Sequence, residues 1–359
     1  MRRTGRILVV LLLAIISQTI LSAFSIVTVQ VGTNPGQSAI IPQTNELVVI
    51  NSGSNDVSVI DASTLKVSTV PTGSLPAAVA VNPATGFAYV ANSWDDTVTA
   101  FYGYGEGKKR KVSPVGSGPI YVAVNPATNK VYVSNIMAGT VSVIDENAGT
   151  TLTVPVGERP RQIAVNSVTN RVYVVNIFSN SVTVLDGSTD AVVATIPVGV
   201  DPYSVAVNPV TNRIYVANQS THSVTVIDGV THGTVDIPAG VQPILVAVNA
   251  VTNKVYVAGG QSNGDVTVID GSTNAVTHIA IPLGPWGFAA LNAISVNEVT
   301  NRIYVVDNMS SNLIVVDGAT NEVSLRPVGS YPYGATVNTA TNKVYVSSSN
   351  DGTVTIISE

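Results

Sequence analysis

The chain has 359 residues, of which 45% are hydrophobic and only 11% are charged, a balance that permits a large core and excludes intrinsic disorder. The formal net charge of −5, from 17 Lys and Arg against 22 Asp and Glu, disfavours nucleic acid as a partner, because binding phosphates needs basic residues. The absence of cysteine excludes disulfide bonds and lipid attachment through a thiol.

An apolar segment at the N-terminus predicts export. MRRTGR is a positively charged region, ILVVLLLAIISQTIL is an apolar region, and Ala23 is a plausible cleavage position. We therefore predict that residues 1–23 are a signal peptide, with an uncleaved N-terminal anchor as the alternative. The mature chain is expected outside the cytoplasm, in the periplasm, in the medium or at the cell surface.

The rest of the chain repeats one pattern. A marker residue recurs at spacings between 41 residues (45 to 86) and 48 residues (253 to 301). The markers are Asn45, Gly86, Asn129, Asn170, Asn212, Asn253, Asn301 and Asn342. A period near 40 residues is typical of one propeller blade of four strands.

Each repeat contains four segments typical of β-strands. In the fifth repeat, SVAVN, RIYVAN and SVTVID alternate on a period of two and are rich in β-branched residues, and a weaker segment follows at 234–237. Connectors of the NPVTN and DGST types supply the Pro, Asn and Asp-Gly of tight turns. The sequence therefore predicts an all-β chain of antiparallel four-stranded blades, with no helix outside residues 1–23.

The repeated strands resemble a known family. NKVYVSN, NRVYVVN, NRIYVAN and NKVYVAG, followed by TVSVID, SVTVLD or SVTVID, resemble the YVTN family of β-propeller repeats, found in secreted and surface-layer proteins of bacteria and archaea. The resemblance covers residues 25–359 and implies a single propeller domain used for binding or surface display, with no catalytic motif common to its members. The first repeat departs most, because its second strand reads ELVVINS and lacks the tyrosine.

Two repeated residue types have structural interpretations. A small residue on the first strand is expected where the innermost strands crowd around the axis, at Ala39, Ala80, Ala123, Ala164, Ala206, Ala247, Ser295 and Thr336. A tyrosine on the second strand is expected to pack between blades, with its hydroxyl on a nearby partner, at Tyr89, Tyr132, Tyr173, Tyr215, Tyr256, Tyr304 and Tyr345.

The two ends of the chain predict how the ring closes. The last repeat stops after its third strand, TVTIIS, whereas VTVQVGTNP at 27–35 aligns with ATIPVGVDP at 194–202, a fourth strand and its connector. An N-terminal strand that completes the last blade would remove an open sheet edge. We predict eight blades closed in this way, with seven as the alternative if the first repeat packs irregularly.

The residues that break the repeat are the candidate site. Because the connectors between blades and the turns between the second and third strands end on the same face, off-repeat residues in both should share that face. The candidate ligand-binding residues are Trp94, Tyr121, Arg161, Phe178, Tyr203, Trp286, Phe288 and Tyr333. The alternative is that these side chains form a hydrophobic plug in the axial mouth.

Motifs for chemistry are sparse. The three histidines, His222, His232 and His278, lie in different kinds of position, and no metal, nucleotide or nucleophile motif occurs in a suitable context. We predict no metal ion, cofactor or catalytic residue. The leading hypothesis is an exported, monomeric, non-enzymatic scaffold that binds a protein, a glycan or a small envelope ligand. The alternatives are a lactonase-like hydrolase or lyase with its site at the axial mouth, and a redox-partner or cofactor-binding propeller.

Overall fold

The computed structural model describes residues 24–103, 109–259, 264–284, 287 and 289–359. These residues form eight antiparallel sheets of four strands each and no helix, arranged as an eight-bladed β-propeller. The predicted fold class is therefore confirmed. Within the described ranges, no helix has the length and apolar character needed to cross a membrane. The predicted signal peptide or anchor, residues 1–23, lies outside the described residues.

Blades 1 to 4 each use four consecutive strands. Blade 1 contains β2 (Pro35–Ile41), β3 (Glu46–Asn51), β4 (Asp56–Asp61) and β5 (Val67–Pro71). Blade 2 contains β6 (Pro76–Val81), β7 (Ala88–Asn92), β8 (Thr97–Tyr102) and β9 (Lys109–Pro114). Blade 3 contains β10 (Pro119–Asn125), β11 (Lys130–Asn135), β12 (Thr140–Asp145) and β13 (Thr150–Pro155). Blade 4 contains β14 (Pro160–Asn166), β15 (Arg171–Asn176), β16 (Ser181–Asp186) and β17 (Val192–Pro197).

Blades 5 to 7 repeat this order, and blade 8 combines both ends of the chain. Blade 5 contains β18 (Pro202–Asn208), β19 (Arg213–Asn218), β20 (Ser223–Asp228) and β21 (Thr234–Pro238). Blade 6 contains β22 (Pro243–Asn249), β23 (Lys254–Gly259), β24 (Asp265–Asp270) and β25 (Val276–Ala280). Blade 7 contains β26 (Leu291–Asn297), β27 (Arg302–Asp307), β28 (Asn312–Asp317) and β29 (Val323–Pro327). Blade 8 contains β30 (Pro332–Asn338), β31 (Lys343–Ser348), β32 (Thr353–Ser358) and, as its outer strand, β1 (Ser25–Gln30).

The N-terminal strand closes the ring as predicted. β1 pairs with β32 antiparallel over its whole length, from Ser25 opposite Ser358 to Gln30 opposite Thr353. The innermost strands contact each other around the ring, and β2 of blade 1 contacts β30 of blade 8. The seven-blade alternative is wrong, because the first repeat forms a regular four-stranded blade despite its missing tyrosine.

Backbone hydrogen bonds define two faces of the ring. The connector face carries the connectors between blades and the turns between second and third strands, which bond to each other: the Ser220 N–H donates to the Val200 carbonyl and the Phe178 N–H to the Glu158 carbonyl. The turn face carries the other two turns of each blade, where the Gly229 N–H donates to the Asn212 carbonyl. The shared face predicted for connectors and second turns is therefore present.

The core lies between blades and accounts for the repeated hydrophobic residues. The seven repeat tyrosines are at most 1% exposed and pack against valines and isoleucines of the blades. The expected hydroxyl partner exists for Tyr132, whose O–H donates to the Gly187 carbonyl at 3.4 Å, and for Tyr304, which contacts Glu359. No hydrogen-bond partner with regular geometry is present among the described residues for the buried hydroxyls of four others: Tyr173, Tyr215, Tyr256 and Tyr345.

Asparagine side chains bridge neighbouring blades on the turn face. The asparagine that ends a first strand donates to the marker asparagine of the next blade, as Asn166 does to Asn212 at 2.8 Å and Asn208 to Asn253 at 2.8 Å. The bridge recurs at 82–129, 125–170, 249–301, 297–342 and 338–45. All eight markers adopt positive φ, which glycine and asparagine tolerate best.

Candidate functional site

Six of the eight predicted site residues belong to described parts of the connector face. Three of them lie on first strands, at Tyr121, Arg161 and Tyr203, and Tyr333 has an equivalent position in blade 8. Trp94 and Phe178 lie in the turns between second and third strands. The other two predicted residues, Trp286 and Phe288, lie outside the described residues.

A bulge at the start of the first strand sets the position of Arg161, Tyr203 and Tyr333. The pairing of β14 with β15 skips from Pro160 to Ile163, so Arg161 is left out of the ladder. The same irregularity leaves Tyr203 unpaired after Pro202 in blade 5. Proline suits this position because it needs no N–H donor there. The residue after the proline is thus free of the blade ladder and stands at the connector-face end of the innermost strand.

Four residues from blades 3, 4 and 5 form what we call the Tyr–Arg cluster: Tyr121, Arg161, Gln162 and Tyr203. The Arg161 guanidinium donates to the Tyr203 hydroxyl at 2.5 Å and lies 3.6 Å from the centroid of that ring. The Gln162 amide donates to the Tyr121 hydroxyl at 3.3 Å, and its oxygen accepts from the Val205 N–H at 3.2 Å. The cluster therefore links three consecutive blades through side chains outside the repeat.

Burial determines the protonation state of one member of this cluster. Burial raises the pKa of the Tyr121 hydroxyl above its ordinary value of 10.0, while the Gln162 hydrogen bond and the Arg161 charge act in the opposite direction. Tyr121 therefore remains a neutral phenol at physiological pH. Its hydroxyl can therefore donate one hydrogen bond beside the Arg161 cation.

Three large apolar side chains lie on consecutive blades of the same face, and we call them the apolar arc: Trp94 of blade 2, Met137 of blade 3 and Phe178 of blade 4. They occupy equivalent turn positions and are 77%, 69% and 58% exposed. The Arg159 guanidinium lies 4.7 Å from the centroid of the Phe178 ring. Large apolar side chains that are exposed at equivalent positions of neighbouring blades are candidates for a contact site.

The structure does not bring Tyr333 to this cluster. Tyr333 lies on blade 8, four blades from Arg161 in a ring of eight, and is 47% exposed. Its ring lies near Gly36 of blade 1, where an added Cβ would be 3.9 Å from its Cδ1 atom. Tyr333 is therefore on the predicted face but on the opposite side of the axis.

Sequence reasoning missed three features. Gln162, which connects Tyr121 to blade 5, and Arg159, which lies over Phe178, both break the repeat beside Arg161 and could have been found by comparing repeats position by position. The turn face also carries exposed valines, at one repeat position in blades 4 to 7. They are Val168, Val210, Val251 and Val299, each between 72% and 76% exposed.

The histidines and the cavity on blades 6 to 8 lie apart from the Tyr–Arg cluster. Among the described residues, no group of three or more His, Cys, Asp or Glu could hold a metal ion. His222 accepts from the Gln242 N–H at 2.9 Å, and His278 lies 2.7 Å from Asp265 on the outer strands of blade 6. A cavity of about 420 Å³ is lined by first strands of blades 6 to 8. The Tyr–Arg cluster lies outside it, on an open surface.

Comparison with known proteins supports the fold. Solved structures that resemble this chain include virginiamycin B lyase from Staphylococcus aureus, with TM-score 0.64 and 10% identity over 94% of this chain and 100% of that chain. Hydrazine synthase from Kuenenia stuttgartiensis has TM-score 0.64 and 17% identity, covering 91% of this chain and 96% of that chain. A functionally unknown protein from Desulfotomaculum acetoxidans has TM-score 0.59 and 14% identity, covering 78% and 98%.

These similarities are too distant to transfer an activity. At identities of 10% to 17%, they show the propeller architecture alone. No protein-family model matches the chain, and no curated protein matches it. The resemblance to YVTN repeats therefore stays a prediction, whereas the propeller that it implies is confirmed.

Proposed function

We propose that this chain is an exported, non-enzymatic propeller that binds its ligand on the connector face. The observation that carries the proposal is the Tyr–Arg cluster, which joins blades 3 to 5 through residues that the repeat does not require. The apolar arc on blades 2 to 4 extends the same surface. Aromatic residues and arginine are the types that most often dominate binding energy.

The open character of this surface favours a macromolecular ligand. The cluster and the arc are spread over the connector ends of four blades. None of their residues lines the cavity of about 420 Å³ on blades 6 to 8 or the cavity of about 360 Å³ formed by blades 3 and 4 next to Phe178. Small-molecule sites are usually concave and enclose their ligand, whereas protein and glycan ligands bind on broader surfaces. Export follows from the leader pattern at residues 1–23.

A ligand screen with two matched variants tests the proposal. Trp94→Ala with Phe178→Ala removes apolar contacts from the connector face, and Val210→Thr with Val251→Thr makes a comparable change on the turn face. Binding to arrays of envelope glycans and peptides should fall about tenfold or more in the first variant and stay unchanged in the second. Loss of binding only in the turn-face variant would contradict the proposal.

Cell fractionation with N-terminal sequencing tests the location. Mature protein outside the cytoplasm that begins near Phe24 is expected if the leader is cleaved. Full-length protein confined to the cytoplasm would contradict export.

A further inference from the structure

The arginines of the connector face differ from the other cations in what they contact. At the repeat position, Arg171 pairs with Asp186 at 2.5 Å, and Arg213 donates to the Gly271 carbonyl at 2.9 Å. Arg161 and Arg159 instead lie over aromatic rings, and neither forms a salt bridge with any described residue. Their charges therefore do not serve blade packing in the way that the repeat cations do.

Arg161 in particular retains unused binding capacity. A guanidinium has five N–H donors, and within the described residues Arg161 donates one hydrogen bond, to the Tyr203 hydroxyl. It is half-buried, so a bound anion would be only partly screened by water. The Tyr203 phenol lies against it, and the Tyr121 phenol is bonded to the adjacent Gln162. A partly desolvated cation with open donors is suited to an anionic ligand.

We propose that Arg161 binds the carboxylate of an apolar peptide segment whose side chains lie on the apolar arc. The inference rests on the proposed function and specifies the ligand of that surface. Arg161 supplies the charge and the planar donor fork, the two phenols orient the carboxylate oxygens, and Trp94, Met137 and Phe178 contact the neighbouring apolar side chains.

Charge and composition favour this ligand over other anions. A phosphate dianion is usually held by several cations or backbone N–H groups, whereas the single guanidinium of the Tyr–Arg cluster matches the single charge of a carboxylate. Methionine in the arc favours peptide over glycan, because its flexible thioether packs on varied apolar side chains, whereas sugars stack on flat aromatic rings. Exposed Trp94 and Phe178 are large enough to anchor such a segment.

A paired peptide array tests the inference. Each apolar hexapeptide is presented in three forms: with a free C-terminal carboxylate, as the C-terminal amide, and as an amide with one internal Glu. A penta-galacturonate spot provides a carboxylate without a peptide. The array is probed with the native protein, with Arg161→Gln, with Arg161→Lys, and with Lys109→Gln, which removes one charge from the exposed outer strand of blade 2.

Carboxylate peptides should bind about tenfold or more tightly than the matched amides. Arg161→Gln should abolish this difference in affinity, and Lys109→Gln should preserve it. Arg161→Lys should weaken the difference, because lysine keeps the charge but lacks the fork. Preference for the free C-terminus or for internal Glu identifies the source of the carboxylate. Thermal melting of Arg161→Gln near the native temperature excludes unfolding as the cause.

Four results would overturn the inference. If acids and amides bind equally and binding still depends on Trp94, the connector face is the binding surface but Arg161 does not bind a carboxylate there. Binding to penta-galacturonate and not to peptides would show that the ligand is an acidic glycan instead of a peptide. Absence of binding to every spot would reject the inference. Binding that is unaffected by both Arg161→Gln and Trp94→Ala would reject the inference and the proposed function as well.

Discussion

Asparagine performs two separate structural tasks at the residue scale. At the end of the second strand, buried Asn218 hydrogen-bonds with the hydroxyls of Ser223 and Thr225 on the third strand. The connector packs directly on this amide, because a Cβ at Gly199 would be 2.7 Å from Asn218 Cβ. The glycine that precedes the connector proline is thus required by close approach. The asparagines of the turn face instead join one blade to the next.

The bridge between Asn166 and Asn212 has a measurable energetic contribution. Asn212→Gly keeps the positive φ of 51° but leaves the buried Asn166 amide without its acceptor, at a cost of about 1 to 3 kcal/mol. Asn212→Ala should cost roughly 1 kcal/mol more, because a Cβ is strained at that φ. Asn212→Asp keeps an acceptor and should be nearly neutral. Urea denaturation measures all three, and native stability of Asn212→Gly would show that the bridge contributes nothing.

The Asp-Gly turns predict a pH dependence. The Ser272 hydroxyl and the Thr273 and Ser272 N–H groups donate to Asp270 and lower its pKa from 3.8 to about 2. Because the folded pKa lies below the unfolded one, this stabilisation is present above about pH 4 and is lost as the pH falls through about 2. The pKa values of Asp186, Asp228 and Asp317 are lowered in the same direction by turn N–H groups.

A carboxyl NMR titration of Asp270 tests this sign. The resonance should titrate near pH 2, and the variant Ser272→Ala should move its midpoint toward 3.8. Asp270→Asn, whose side-chain oxygen still accepts in the turn, should make stability less dependent on pH between 4 and 2. A midpoint at the ordinary value in the native protein would contradict the turn geometry.

At the element scale, the outer strand of blade 8 pairs with the strand that is farthest from it in the sequence. β1 pairs with β32 across nearly the whole sequence, so it forms only when both ends of the chain meet. Val29 is 9% exposed and packs with Val354 and Ile356 in the core between blades 8 and 1, whereas Val27 is 41% exposed. The strand therefore contributes both a paired edge and one buried side chain.

Two valines of β1 separate these contributions. Val29→Asp buries an unpaired charge in the core and should destabilise the protein by about 3 kcal/mol or more. Val27→Asp places the same charge on the same side of the strand but at an exposed position, and it should change stability by about 0.5 kcal/mol or less. Deletion of residues 25–32 should lower the melting temperature sharply, and an added peptide of residues 24–34 should restore part of it. An unchanged melting temperature after deletion would contradict closure by β1.

The elements themselves could be predicted because each strand has its own local signal. Alternation, β-branched residues and the repeated turn chemistry identify all four strands of a blade such as β18 to β21, and the period then counts the blades. The Asn166–Asn212 bridge could not be predicted in this way, since its partners lie 46 residues apart and meet only when two blades pack. Gln162 was missed for the same reason, because its partners Tyr121 and Val205 lie on two other blades.

At the scale of the whole molecule, one junction in the ring differs from the rest. Ile41 ends the first strand of blade 1 where other blades have the donor asparagine, and Gly86 of blade 2 stands where they have the acceptor. Donor and acceptor are thus missing together, so no buried amide is left unpaired. The Gln43 amide substitutes by donating to the Pro83 carbonyl of blade 2 at 2.5 Å. Because donor and acceptor are absent at the same junction, we infer that the hydrogen bond between them serves to hold neighbouring blades together.

Installing the missing bridge tests that interpretation. Ile41→Asn alone removes a buried core side chain and adds an amide without an acceptor, so it should destabilise the ring. Gly86→Asn alone should be nearly neutral, because asparagine tolerates the φ of 76°. At position 86 the new side chain meets Tyr102 Cε2 at 3.0 Å, and that ring is 39% exposed and able to move.

The double variant Ile41→Asn with Gly86→Asn should be more stable than the sum of the two single effects, with a coupling of about 1 kcal/mol in urea denaturation. Ile41→Ala with Gly86→Asn provides the control, since alanine cannot donate and should show no coupling. Hydrogen exchange should slow in β2 and β6 of the double variant if the new bond holds blades 1 and 2 together. Additive effects in both pairs would mean that the seven existing bridges follow from blade packing and do not contribute to it.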